Sequence, residues 1–260
     1  MTTGECGDGG GGGRPACDGP GPAGAPVRWI RRIPIPRTAH LDAKRLFDVA
    51  GSAAGLVLAS PVMAIVALAV RWDSPGPVVF TQTRVGRGGR PFTVYKFRTM
   101  TVASHAGAAS TAGAADTAGT GDTAGSAAGM AISPTGDARV TRTGRVLRAS
   151  KLDELPQLLN VLRGDMSLVG PRPEVPGYVE CWDPARRDVI LSVRPGITDP
   201  ASVEYRHEAN ELAAVEDPGR HYVEVILPRK EALYVDYVRT RSLRSDVLVL
   251  LRTLRAVLRR

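Results

Sequence analysis

An uncharged apolar run over residues 49–70, with Lys44-Arg45 in front and Arg71 behind, constrains this chain more than any other feature. At about 1.5 Å per residue, a helix over it is long enough to cross a bilayer, which takes about 20 apolar residues. Hydropathy alone therefore admits a plain transmembrane helix. Two details oppose it. Ser60-Pro61 falls within the run, and proline there removes a backbone hydrogen bond and clashes with the preceding turn. Cations flank both ends, so charge bias favours neither orientation. A helix that enters, bends at Ser60-Pro61 and leaves on the same face satisfies both details. The expectation is a re-entrant membrane hairpin, helix-break-helix, over residues 41–72.

The remaining organisation follows from composition shifts. Residues 1–40 run from a Gly tract through Pro-Gly repeats to Ile33-Pro34-Ile35-Pro36. Such a stretch cannot bury enough apolar surface to offset chain entropy, so it reads as a disordered N-terminal tail. It carries no apolar core behind a basic start, and so does not read as a signal peptide. Residues 102–131 are almost entirely Ala, Gly, Thr, Ser and Asp, a low-complexity insertion. It divides one domain, residues 73–260, because neither flank has enough apolar sequence to stand alone.

The expected fold class is α+β, mainly helical, with a small β-hairpin and interfacial amphipathic helices. Residues 78–82 and 92–100 alternate like strands around a Gly-rich turn. That pattern puts Phe92, Val94, Lys96 and Arg98 on one face. Two cations beside a Gly-rich turn could cradle phosphate, or simply keep a strand edge soluble. Residues 204–217 and 222–240 read as helical, and residues 243–260 as a cationic amphipathic helix. Leu243, Val247, Leu250, Leu251, Leu254 and Leu258 lie beside Arg244, Arg252, Arg255 and Arg259. This suits a membrane interface or packing against the protein, and the two are compatible.

The formal net charge of +8 comes from Arg, which binds phosphate bidentately, so phosphorylated ligands or an anionic membrane are natural partners. Aromatics at 5% argue against stacking on single-stranded nucleic acid, and no nucleic-acid partner is expected. Cys6, Cys17 and Cys181 are odd in number and lack metal spacing, which excludes a disulfide framework or a zinc site and suits a reducing setting.

The densest stretch is Ser150-Lys151-Leu152-Asp153-Glu154-Leu155-Pro156-Gln157-Leu158-Leu159-Asn160, followed by Gly164-Asp165-Met166-Ser167-Leu168-Val169-Gly170-Pro171-Arg172-Pro173. Ser150 and Asp153 have the spacing of a capping box, and Pro156 is tolerable only in a first turn. Asp153 and Glu154 are therefore expected at a helix N-terminus, which favours carboxylates and can receive a phosphate. A lone Asp-Glu there is ordinarily first-turn charge. Arg139, Arg142, Arg145 and Arg148 recur at every third position, which by itself reads as a solvated basic face but could offset a diphosphate.

Taken together, Lys44-Arg45-x-Phe47-Asp48, the Ser60-Pro61 break, Asp73-Ser74-Pro75-Gly76-Pro77-Val78-x-Phe80-x-Gln82-x-Arg84-Val85-Gly86, Lys96-Phe97-Arg98-Thr99-Met100, the two stretches above and Arg194-Pro195-Gly196-Ile197-Thr198 resemble the bacterial sugar transferase family, monotopic polyprenyl-phosphate phosphoglycosyl transferases. The match runs from about residue 42 to the C-terminus and looks like the small form, the catalytic domain alone. The resemblance implies transfer of a sugar 1-phosphate from a nucleoside-diphosphate sugar, usually a UDP-sugar, to polyprenyl phosphate, with release of UMP. It implies Asp153 as the nucleophile of a covalent phosphosugar intermediate, and Glu154 as its partner in holding Mg²⁺. Lys96, Arg98, Arg145 and Arg172 become the candidate phosphate contacts. The Ser60-Pro61 break keeps both flanks cytosolic at the bacterial inner membrane, and a homodimer is admissible.

The chain also departs from the family pattern. Lys151 stands where many members have Ser or Thr. Asp199-Pro200-Ala201-Ser202 replaces a Gly-led segment, and Tyr234 replaces an acidic residue before Tyr237-Val238. Two other readings compete. A two-carboxylate glycosidase needs carboxylates about 5–9.5 Å apart, flanking a bond, which neighbours on one helix do poorly. A non-catalytic membrane scaffold would need neither carboxylate.

Overall fold

The computed structural model describes residues 39–101, 139–205 and 208–258. The tail expected over residues 1–40, but for its last two residues, and the insertion expected over residues 102–131 lie outside the described residues.

The apolar run forms α1, Ala39–Asp73, a helix of 35 residues with Pro61 inside it. The helical assignment runs on through Ser60-Pro61. The reason is local. Pro61 has no N–H to offer the carbonyl of Val57, and the Ser60 hydroxyl donates to that carbonyl instead, at 2.8 Å. Behind α1 comes a hairpin, β1 (Val79–Val85) and β2 (Pro91–Phe97), paired antiparallel with Phe80 opposite Lys96 and Arg84 opposite Phe92. This matches the expected strands. The outer edge of β2 is closed by Asn160, whose side-chain oxygen accepts from the Tyr95 amide at 3.2 Å while its amide donates to Thr93 O at 2.7 Å.

The middle of the chain packs α2 (Arg142–Ser150), a 3-10 turn (Leu152–Glu154), α3 (Gln157–Arg163) and β3 (Ser167–Val169). Thr141 caps α2 by accepting from Gly144 N, and Asp73 at the end of α1 accepts from Thr143 N, both at 2.9 Å. Gly164, at φ 94°, ends α3 in the left-handed conformation that glycine adopts without strain. The short helices α4 (Pro176–Glu180) and α5 (Pro184–Leu191) lead to β4 (Gly196–Thr198), which pairs parallel with β3. Then follow α6 (Pro200–Glu204), α7 (Glu208–Ala213), α8 (Pro218–His221), a π turn (Tyr222–Ile226), α9 (Leu227–Thr240) and α10 (Leu243–Leu258).

Both ends of α1 are held by the same body. Near its start, Lys44 pairs with Asp246 of α10 at 2.6 Å, and Asp48 accepts from Ser167 Oγ and Leu168 N of β3, each at 3.1 Å. Arg45 donates to the terminal carbonyls of α3, Val161 O at 2.6 Å and Leu162 O at 2.9 Å. Near its end, Val66 and Val70 pack with Phe97 and Leu147. Between these anchors Val57, Leu58 and Ile65 are 73%, 79% and 67% exposed. On α10 a second apolar stripe is open, Val247, Leu248, Leu251 and Leu254, while Asp246 and Thr253 face inward.

Candidate active site

Asp153 and Glu154 lie within the 3-10 turn, ahead of α3, rather than in the first turn of a helix. The expected capping box is absent. Ser150 Oγ donates backwards to Val146 O at 2.8 Å and Leu147 O at 3.2 Å, closing α2. Lys151 then turns the chain at φ 60°, the only non-glycine with positive φ among the described residues. That conformation carries a steric cost of order 1–2 kcal/mol for an L-residue, and it hands the chain directly to the acidic pair.

Each carboxylate is 8% exposed, yet their surroundings differ. Glu154 Oε1 accepts from Arg172 at 2.6 Å and from Lys96 at 3.1 Å. Burial alone would raise its pKa, but Arg172 and Lys96 outweigh it and hold Glu154 ionised far below the usual carboxylate range. Asp153 Oδ1 is buried with no hydrogen-bond partner. Burial and the charge of Glu154 push its pKa up, against the pull of Lys96, Lys151 and Arg172. One carboxylate is thus locked and the other left bare, which suits a fixed counter-charge beside a nucleophile.

Two strand pairings bring the cations in. Lys96 stands near the end of β2, and burial lowers its pKa against the opposing charge of Glu154. Arg172 follows Pro171, where Gly196 N donates to Pro171 O at 2.9 Å and Gly170 N to Thr198 O at 3.1 Å. A Cβ on Gly196 would lie 2.1 Å from Gly170 N, so only glycine allows this approach. The pKa of Arg172 is raised first by Glu154, with smaller contributions from Asp199 and Tyr234. Two of the positions that depart from the family pattern therefore lie near the same guanidinium.

The other candidate cations are not brought to the pair. Arg98 is buried and donates to Ser74 O at 2.6 Å, Ser74 Oγ at 3.0 Å and Val70 O at 3.3 Å. Through one nitrogen, Nη2, it closes the C-terminal end of α1, while its Nε and Nη1 are buried without a hydrogen-bond partner among the described residues. Arg145 is exposed on α2, with no polar contact to Asp153 or Glu154 among the described residues. Sequence reasoning also missed a supporting chain of contacts. Arg84 reaches Pro173 O at 3.3 Å and Glu174 at 3.5 Å, and Glu174 accepts from the Tyr222 hydroxyl at 2.8 Å. Arg84 sat in a recognisable motif, but nothing local announced Glu174 or Tyr222 as its continuation.

No cluster of three or more His, Cys, Asp or Glu exists among the described residues that could hold a metal by itself. Two adjacent carboxylates, one with an orphaned buried oxygen, still suit a hard divalent cation that takes its remaining ligands from water and substrate phosphate.

Residues 39–260 match the family model described as Bacterial sugar transferase. The UDP-glucose:undecaprenyl-phosphate glucose-1-phosphate transferase of Caulobacter vibrioides is 37% identical over 227 residues, covering 86% of this chain and 73% of that protein. The UDP-N-acetylgalactosamine-undecaprenyl-phosphate N-acetylgalactosaminephosphotransferase of Aeromonas hydrophila is 36% identical over 229 residues, 86% of this chain and 45% of the relative. The UDP-glucose:undecaprenyl-phosphate glucose-1-phosphate transferase of Escherichia coli is 36% identical over 196 residues, 74% of this chain and 38% of the relative. The chain thus spans about three quarters of the first relative's length and less than half of the other two.

Proposed function

The chain belongs to the bacterial sugar transferase family, and from that premise we propose that it moves a sugar 1-phosphate from a UDP-sugar to polyprenyl (undecaprenyl) phosphate, releasing UMP. The observation that carries this reading is the bare, buried Oδ1 of Asp153 beside a Glu154 held by two cations.

In the first step a carboxylate oxygen of Asp153 attacks the phosphorus bearing the sugar. A P–O bond forms, the bond to the UMP oxygen breaks, and the sugar phosphate is left as an acyl phosphate on Asp153. In the second step an oxygen of polyprenyl phosphate attacks the same phosphorus, and the acyl-phosphate bond breaks. The products are a polyprenyl diphosphate sugar and a free carboxylate. Splitting one displacement into two lowers the barrier to each. Lys96 and Arg172 neutralise charge on the equatorial phosphoryl oxygens, the main demand of phosphoryl transfer. Glu154, with Asp153 beside it, would hold Mg²⁺, which when bound draws negative charge from the diphosphate.

Membrane placement follows from α1. Its two ends rest on one body while its middle is bare and apolar, an arrangement that favours entry and exit on one face. This supports the re-entrant reading with both flanks cytosolic. The open stripe of α10 supports a helix lying in the interface. The reaction then begins an exopolysaccharide, O-antigen or glycoconjugate at the inner leaflet.

The test is release of UMP from a panel of UDP-sugars with polyprenyl phosphate and Mg²⁺, together with mass spectrometry of the enzyme incubated with donor alone. Release with at least one sugar and a phosphosugar adduct on Asp153 are expected. Folded protein that releases UMP with none of the sugars would overturn the reading.

A further inference from the structure

A second concentration of positive charge lies away from the acidic pair and shares no residue with it. A small cavity of about 30 Å³, room for about two waters, is lined by Lys44, Asp48, Arg87, Arg194 and Arg241 with Ser167 and Tyr237. Its cations are poorly matched. Lys44 is committed to Asp246 at 2.6 Å and Asp48 at 3.6 Å. Among the described residues Arg87, Arg194 and Arg241 make no ion pair, and the one carboxylate in the lining, Asp48, opposes the burial of Arg194 only from a distance. Arg87 Nε donates to Ser192 O at 3.1 Å, and Arg194 Nε to Gly164 O at 2.8 Å. Arg241 Nη1 is buried with no hydrogen-bond partner among the described residues.

Three guanidinium groups around one cavity repel each other, and burying an unpaired donor costs about 1–3 kcal/mol. A structure carries such an arrangement at a cost unless something negative completes it. We infer that this cavity is a binding site for a phosphate group, distinct from the phosphates handled at Asp153 and Glu154. Three guanidinium groups line one small cavity, and guanidinium is the side chain best suited to hold phosphate oxygens. The repulsion agrees with this. Burial first, then Arg194 and Arg241, lowers the pKa of Arg87, a penalty that an anion would relieve. The site stands at the start of α1, where Leu46, two residues beyond Lys44, is 71% exposed and the bare apolar surface begins. Its phosphate can come from an anionic lipid headgroup or from solution.

The test uses the full chain in phosphate-free nonionic detergent, titrated with inorganic phosphate and followed by thermal unfolding. Stabilisation is expected in the wild type and in Arg172→Gln, which removes only the catalytic-site arginine. In Arg241→Gln and Arg87→Gln the affinity should fall about tenfold or more. Without phosphate these two variants should be as stable as the wild type or more so, because each removes repulsion. Circular dichroism identifies any variant that fails to fold, and the other then carries the comparison. The second arm places the protein in phosphatidylcholine nanodiscs doped with phosphatidylglycerol and counts retained lipid by native mass spectrometry. Phosphatidylglycerol held by the wild type and lost by the variants identifies a lipid headgroup. A phosphate response without such retention identifies a soluble anion. Responses equal in the wild type and both variants, or none in any protein, overturn the inference.

Discussion

Arg172 donates to Oε1 of Glu154 across 2.6 Å, joining the loop after β3 to the 3-10 turn that carries the acidic pair. The same oxygen takes Lys96 from β2, so three separate segments meet at one atom. Removing either cation leaves a buried carboxylate short of a partner. Arg172→Gln is expected to destabilise the fold by about 1–3 kcal/mol, to raise the pKa of Glu154 and to depress turnover more than donor binding. Chemical denaturation paired with steady-state kinetics checks it.

The pH dependence follows from signs already given. As the proposed nucleophile Asp153 must be ionised, and its pKa is raised by burial and by Glu154, so the acid limb of turnover should lie above the ordinary Asp range. Lys96 is lowered by burial, which brings the alkaline limb closer to neutrality. In stability the two carboxylates act oppositely. Glu154, depressed in the folded state, stabilises above the unfolded carboxylate pKa, and that contribution is lost as pH falls through its folded value. Asp153, raised in the folded state, destabilises while ionised. Asp153→Asn should therefore abolish turnover, by about three orders of magnitude or more, while melting no lower than the wild type at neutral pH. A pH–rate profile and thermal unfolding of the two proteins read both.

Ser60 and Pro61 form a self-contained unit in α1. Ser60→Ala removes the hydroxyl that pairs the Val57 carbonyl, which within a lipid or detergent phase should cost about 1–3 kcal/mol. Pro61→Ala restores an N–H for that carbonyl. The double change Ser60→Ala/Pro61→Ala should therefore be less damaging than Ser60→Ala alone, a non-additive cycle. Unfolding in detergent measures the energies. Impermeant labelling of single cysteines on either side of α1 should give cytosol-only reaction in the wild type.

Gly196 has no room for a side chain. Gly196→Ala would place a methyl carbon 2.1 Å from Gly170 N, breaking the β3–β4 pairing and displacing Arg172. The expectation is a loss of several kcal/mol, at least about 3, or failure to fold. Limited proteolysis and circular dichroism distinguish these outcomes.

Much of the architecture was legible in consecutive residues. The hairpin strands, the long apolar helix and the helical C-terminal half all followed from periodicity and turn residues, and the ordered motifs pointed to the family. Two side chains had more than one partner within reach of their sequence position. Ser150 could cap the helix ahead or close the one behind, and it closes α2. Arg98 could follow the strand alternation towards the site, but turns to the orphan carbonyls ending α1.

By itself the sequence determined the hairpin strands, the long apolar helical run and the family, and it singled out Asp153 and Glu154 as candidates. Those properties reside in neighbouring residues, through backbone propensity, hydrophobic period and local charge. Only the tertiary structure decided that Lys96 and Arg172, rather than Arg98 and Arg145, face Glu154, and that three arginines remote in sequence surround one cavity. Which cation meets which oxygen depends on how segments far apart in the chain come together, and a few ångströms separate a strong ion pair from a solvated charge.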